Sequence, residues 1–444
     1  MTTTPTPIPR PDGIVGLHAL RRMIRERSVI AAFEAFHEKL GNVFQLQLSG
    51  FHPVVLVGPD ANRFVLVEQA AQLAWRSPTD PIARLLGHGL LVEDGEKMHD
   101  EPRAVMMNAL RARIMPAYID AMWRGTNTVL RTWQPGQQVD MLEAMRHLSL
   151  LIVFDALFRH DFAPDVHALW GHTMRLMRFI SPGAWMIWTG APSPGYAKAR
   201  AAYDACLHGI IARRRASYDA SQDDLLGLLI GAGYDDAMIR DEMMTMVVAG
   251  HDTTTALLAW AWLMLGQHPD ALSAAREEAR TVLGPADLDA PPPTHEQVRQ
   301  LAYTESVVKE TLRLYPPAHL GSRIALSALD YQGYHIPAGT RVIYSIYLTQ
   351  RMAEYWPEPL AFRPERFARD AARPTAFSYL PFGGGPRLCI GNHFGEQQAI
   401  MVIARVLQCF EVDVLKQGVV MHMGATIEPR QGKHGISAVV RPRA

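Results

Sequence analysis

A mainly helical fold with a minor β component is the class that this 444-residue chain predicts. Three observations point to it. Apolar residues recur every three to four positions over many long stretches. Strand-like runs are few and short. One stretch, Asp235 to Gly266, runs for some thirty residues with almost no helix breaker.

Along the chain, FQLQL (Phe44 to Leu48) and PVVLVG (Pro53 to Gly58) read as two strands with a turn around Gly50. Helical spacing then dominates. It shows in GEKMHDEPRAVMMNALRARI, TNTVLRTW, DMLEAMRHLSLLIVFDALF and YAKARAAYDACLHGIIARRRAS. LAYTESVVKETLRLY is a further helix, stopped by Pro316 and Pro317. Extended pieces follow: SRIAL, YHIPAGTRVIYSIY, ATIEP and GISAVV. Proline-rich loops at 285–294 and 354–364 join material of the same kind on both sides. No internal repeat appears. Residues 1–444 therefore read as one domain, with 1–15, polar and proline-rich, as a flexible leader.

The composition is that of a globular protein with a large core: 48% hydrophobic, 20% charged. Positive and negative residues balance at 44 each, so nothing global points to nucleic acid or an anionic surface. The leader lacks the apolar core of a secretory signal. Leu148 to Phe158 is too short to span a bilayer, and Met243 to Leu265 carries His251 and Asp252 near its middle. A cytoplasmic protein without a membrane span is expected. Three dispersed cysteines, Cys206, Cys389 and Cys409, make no disulfide framework and suit a reducing compartment.

One cysteine stands in FGGGPRLCIG, Phe382 to Gly391. A phosphate loop needs Lys and Ser/Thr after its glycines; here Pro-Arg follows. A dinucleotide fingerprint needs a βαβ setting, and none surrounds it. A zinc site wants more Cys or His nearby, and only His393 is close. A nucleophile wants a base that sequence cannot place. A thiolate ligand of haem iron uses every part. Glycines permit close approach to a flat macrocycle. A helix starting near Gly391 turns its N–H groups toward the sulfur. Arg387 can pair with a haem propionate. Phe382 can keep water from the thiolate.

Phe382-x-x-Gly385-x-Arg387-x-Cys389-x-Gly391 resembles the haem-thiolate signature of the cytochromes P450 at each position. Three further segments resemble the family in the same order. Glu310 and Arg313, three apart on a helix, with Arg366 of Pro364-Glu365-Arg366-Phe367, match its buried ExxR–Arg triad. Ala249-Gly250-His251-Asp252-Thr253-Thr254 resembles its central-helix element. There Asp252 and Thr253 form an acid–alcohol pair that handles protons for bound O₂. Gly is awkward there and Thr bonds back to preceding carbonyls, so a distorted turn is expected, with Gly250 letting oxygen or substrate approach. His99 and Arg103, four apart near a helix start, match propionate donors, and Arg323 matches another. The resemblance runs from about residue 30 to the end of the sequence.

It implies the P450 fold, with a long helix over haem b whose iron Cys389 ligates. It implies a monooxygenase that takes O₂ and two electrons to hydroxylate or epoxidise a small molecule. The sequence holds no flavin or ferredoxin module, so a separate ferredoxin or flavodoxin with an NAD(P)H-dependent reductase is expected. Pocket residues implied by the family are Ile82 to Leu91, Met246, Ala249, Pro317 to Gly321 and Met174 to Trp188. They are mostly apolar and suit a terpenoid, carotenoid, steroid or fatty chain. Two other readings carry tests. A peroxygenase on this fold would be expected to lack the acid–alcohol pair. A haem-thiolate sensor or carrier would form no product.

Overall fold

The structure is a computed structural model that describes residues 6–47, 51–75, 80–181, 193–415 and 417–443. Its axis is the long breaker-free run, which forms the helix Asp236–Gln267. Asp235 caps this central helix, its carboxylate accepting from Met238 N at 2.8 Å. Apolar residues surround it on all sides, and it is buried along most of its length. That is what a helix at the middle of a large core requires. Met141–Phe158 packs along it, and an added Cβ on Gly250 would stand 3.1 Å from Val153 Cγ2.

Most expected helices form near their expected bounds: Met141–Phe158, Tyr196–Ala216 and Ala302–Leu314. The stretch 95–114 departs from one continuous helix. It is a wide turn at Glu96–Asp100, an α-helix at Glu101–Leu110 and a tight 3-10 segment at Ala112–Tyr118. Pro102 and Pro116 lack the N–H groups a continuous α-ladder would need. TNTVLRTW forms only the end of Ile119–Leu130.

Helices at Gly13–Glu26, Ile30–Leu40, Ala163–Ile180 and Pro269–Leu283 complete the helical set named here. Residues 13–15, expected within a flexible leader, are the first turn of Gly13–Glu26. Asp12 holds them by accepting from Val15 N at 2.8 Å.

Val43–Gln45 and Val54–Leu56 pair antiparallel as the expected hairpin. They join Arg341–Tyr344, Gly321–Ala325 and Leu73–Ala74 in a five-stranded sheet. Its second and third strands are parallel, with Val54 opposite Val342. The run 334–347 is not one strand. Pro337 to Gly339 turn it, with Gly339 at φ 76°, and Ser345 caps a short helix at Ile346–Thr349. Val420–Met423 and Ile427–Arg430 form a hairpin against the central helix. Ser437–Pro442 lies between Gln138–Asp140 and Phe410–Val414, tying distant chain segments together.

Candidate active site

The cysteine loop leaves Leu380, tightens into a 3-10 turn at Gly385–Arg387 and enters the helix Asn392–Cys409. Cys389 N donates to Phe382 O at 2.9 Å, closing the loop. Gly385 has φ 63°, and a Cβ there would overlap the Leu66 carbonyl oxygen. The glycines were expected as clearance for a flat ligand. Gly385 is required by its own backbone and by the neighbouring segment. Gly391 has open space at its Cβ position and the negative φ of −95°.

Cys389 has an exposed surface yet lies deep in the fold. Depth governs its acidity: burial pushes the thiol up, while the Gly391 N–H and the charge of Arg103 pull it down. The helix start therefore does favour thiolate, as expected, though not enough to offset burial.

A basic wall stands beside this loop. Arg103 donates to Leu388 O at 2.6 Å. His99 is 3% exposed and meets Asp100 at 2.6 Å; burial lowers its pKa. Arg323, 4% exposed, donates to Ser322 O and lies 3.8 Å over the Trp75 ring. No ion pair to Arg323 forms among the described residues. A buried guanidinium without a carboxylate is costly, so this site suits an anionic ligand. Arg387 was expected to pair with a haem propionate. It is already paired with Asp94, with the Glu93 carbonyl as a further acceptor. It thereby staples the segment 90–94 to the cysteine loop.

The triad forms behind the loop. Arg313 and Glu310 are both fully buried, and Arg313 donates from Nε at 2.7 Å and Nη2 at 2.8 Å. Arg366 Nε stands 3.4 Å from Glu310 Oε1. Arg313 also holds the carbonyls of Gln350, Pro359 and Ala361. Gln350 is the part sequence reasoning missed. Its amide nitrogen donates to Leu312 O and Arg313 O, and its oxygen accepts from Leu380 N at 2.8 Å. It links the triad to the start of the cysteine loop. A lone glutamine at the end of the short helix Ile346–Thr349 gives no sequence signal for this.

On the central helix, Ala249, Gly250 and Thr253 keep partial exposure within a buried stretch. At this spacing they share one face. Thr254 lies on the adjoining flank, its Oγ1 3.9 Å from where a Cβ of Gly395 would be. The open face thus borders the helix that starts just after Cys389. Thr253 Oγ1 donates back to Ala249 O at 2.6 Å, as expected. The helix continues unbroken through this turn. Gly250 was expected to admit oxygen or substrate. An added Cβ there would also meet Val153 Cγ2 at 3.1 Å on the neighbouring helix.

Asp252 is 4% exposed. Its Oδ2 accepts from Thr426 Oγ1 at 2.9 Å, and Arg146 Nη1 stands 3.3 Å from Oδ1. Arg146 is shared with Glu428, which also pairs with partly exposed Arg430 at 2.7 Å. The acid is thus the inner end of a buried ionic chain that approaches the surface. His251 is fully buried with neither ring nitrogen hydrogen-bonded, and burial keeps it neutral. Arg146, Thr426 and Glu428 were missed because they are far from Asp252 in sequence.

Of the expected pocket segments, Pro81–Leu86 is a short helix. The residues after it are pinned to the central helix: His88 N donates to Asp241 at 2.8 Å, and Leu90 N to Glu242 at 3.0 Å. Burial raises the Glu242 carboxyl to about 8. Met246 is 6% exposed, and His319, within Pro317 to Gly321, is buried. Residues 174–180 end the helix Ala163–Ile180 and Ser181 follows it in extended form, while 182–188 lie outside the described residues.

A thiol-bearing loop at a helix start, a basic wall and an alcohol–acid pair on a facing helix define a haem-thiolate oxygenase. The chain belongs to the cytochrome P450 family, whose model matches residues 6–428. A putative cytochrome P450 137 of Mycobacterium tuberculosis (strain CDC 1551 / Oshkosh) is 31% identical over 76% of this chain and 72% of its own length. Cyclooctatin synthase of Streptomyces melanosporofaciens is 30% identical over 88% of this chain and 86% of its own. Among solved structures, retinoic-acid-bound cyanobacterial CYP120A1 superposes with a TM-score of 0.85 at 24% identity, covering 99% of this chain and 100% of that one. The chain is a P450 monooxygenase, using a haem-thiolate iron cofactor, O₂ and redox partners. No helix among the described residues is long and apolar enough to cross a membrane.

Proposed function

We propose that this protein inserts one oxygen atom from O₂ into a C–H or C=C bond of a lipophilic small molecule, of terpenoid, carotenoid, steroid or fatty-acid type. Cys389 ligates the iron of haem b. His99, Arg103 and Arg323 receive its carboxylates, and Arg387 supports them. When bound, haem supplies the electron-accepting, O₂-activating centre, with the thiolate pushing electron density onto iron.

The chain supplies position and protons. The observation that carries this reading is the adjacency of Thr253, on the open face of the central helix, to Asp252 on the ionic chain. The Thr253 hydroxyl, anchored on Ala249 O, orients a proton-carrying water. Asp252 passes protons toward it from the side of Arg430. Arg146 and Thr426 fix the Asp252 carboxylate. The Glu310–Arg313–Arg366 brace and Gln350 hold the cysteine loop in register.

The mostly apolar pocket segments support a lipophilic substrate, as does the name of the relative that makes cyclooctatin. Electrons come from a ferredoxin or flavodoxin with an NAD(P)H-dependent reductase. The acid–alcohol pair favours this over an H₂O₂-driven peroxygenase, and a reaction product separates it from a sensor or carrier. Cys389→Ser should abolish the red-shifted Soret band of the reduced CO complex; its persistence refutes the ligand. Thr253→Ala should keep NAD(P)H consumption while diverting electrons from product. Unchanged coupling refutes its role.

A further inference from the structure

The helix Gly13–Glu26 is built inside out. Its large aliphatic side chains face solvent: Ile14 is 81% exposed, Leu17 47%, Leu20 45% and Ile24 66%. At three- to four-residue spacing they line one outward face. The face toward the protein is made by Ala19, with Val15 and Met23 only partly covered. Val29, 42% exposed, follows just beyond it. An exposed apolar stripe is the informative departure from ordinary burial, because folding alone does not select it.

Charge says what covers it. Between residues 10 and 27 the chain has five arginines, Arg10, Arg21, Arg22, Arg25 and Arg27, against Asp12 and Glu26. Arg22 turns inward to Glu34 and Glu38. Arg21 and Arg25 are exposed among the aliphatic side chains, with Arg25 also reaching Glu26 at 2.8 Å. The zero net charge of the whole chain hides this local excess. Aliphatic residues interleaved with arginines describe a helix that lies in the plane of an anionic bilayer surface.

We propose that this helix is a docking face for an anionic lipid surface, with the aliphatic stripe in the headgroup boundary and Arg21 and Arg25 on lipid phosphates. A second copy fits worse: a two-fold contact would press Arg21 and Arg25 against their own counterparts. An acidic redox partner would satisfy the arginines but leave four aliphatic side chains without an apolar partner. Peripheral docking needs no membrane-spanning helix, and it holds whatever the substrate is.

The test is flotation of the full-length haem-loaded protein with vesicles of phosphatidylcholine alone or mixed with phosphatidylglycerol, at low and high salt. The protein should float with the anionic vesicles at low salt and largely release from them at high salt. Ile14→Asn with Ile24→Asn should weaken binding at least about tenfold, given the apolar area withdrawn. Arg21→Gln or Arg25→Gln should each weaken it about fivefold. Leu326→Asn and Leu360→Asn, at exposed apolar sites elsewhere, should change nothing. Melting temperatures of all variants should match the parent, since the exchanged side chains are exposed. Failure to float with anionic vesicles at low salt overturns the proposal. So does equal binding by the Ile14/Ile24 variant, or an equal loss at Leu326 and Leu360. Self-association, or slowed reduction by a ferredoxin, that depends on these residues without vesicle binding would assign the face to a protein and overturn it too.

Discussion

Glu310→Gln tests the brace behind the cysteine loop with almost no change in volume. The carboxylate accepts Arg313 Nε at 2.7 Å, Arg313 Nη2 at 2.8 Å and Arg363 N at 2.9 Å, and faces Arg366 at 3.4 Å. Glutamine removes the only charge that opposes the two guanidiniums among the described residues, and turns an N–H₂ group toward one of them. Breaking a buried pair by neutralising one partner costs about 3–5 kcal/mol. Unfolding entropy near Tm is about 2.1 cal/mol/K per residue, or about 0.9 kcal/mol/K for a chain this long. Tm should therefore fall by about 3–5 °C in calorimetry of the haem-loaded protein. Arg366→Gln should cost less than half as much, because Arg366 is 12% exposed on its side chain and water can replace it. A fall of less than about 1 °C for Glu310→Gln would show that the carboxylate is not the counter-charge, and would refute the brace.

Three further outcomes follow from geometry. Gly385→Ala should cost at least about 2 kcal/mol and reduce haem retention, whereas Gly391→Ala should stay within about 1 kcal/mol, both read by thermal denaturation. Asp252→Asn and Glu428→Gln should be non-additive by at least about 1 kcal/mol in a double-mutant cycle, because Arg146 is shared; additivity would sever the ionic chain. Glu242 has its carboxyl raised to about 8 from 4.5, so the folded state binds the extra proton between those values. Stability then declines as pH rises through that window, by at most about 1.4 kcal/mol per pH unit from this group. Glu242→Gln should flatten the decline; an unchanged slope would place the titration elsewhere.

The sequence made legible whatever depends on local pattern. The central helix was visible in its breaker-free run, and the Glu310–Arg313 pair in its spacing, since residues three apart on a helix must share a face, whereas Arg366 was placed beside them only by the family resemblance. Thr253 back-bonding to Ala249 followed from side-chain chemistry. What escaped was long-range. Gln350 meets Leu380 across 30 residues, and Arg387 meets Asp94 across 293. No local spacing encodes such pairs. At Gly250 and Gly385 the neighbours in the fold are Val153 and Leu66. Glycine announces closeness without naming the neighbour. The leader's last residues were helical because Asp12 caps them, a signal its prolines obscured.

The chain around Asp252 also has a consequence in time. Arg146 and Glu428 are separated by 282 residues, and Thr426 follows Asp252 by 174. During synthesis, Arg146 and Asp252 leave the ribosome long before the segment that completes their ion pairing exists. Until then the two charges resist burial, because an incomplete ionic cluster is costly to dehydrate. Its ion pairing is complete only once the hairpin Val420–Met423/Ile427–Arg430 is made, so the proposed proton path also ties the end of the chain to its middle.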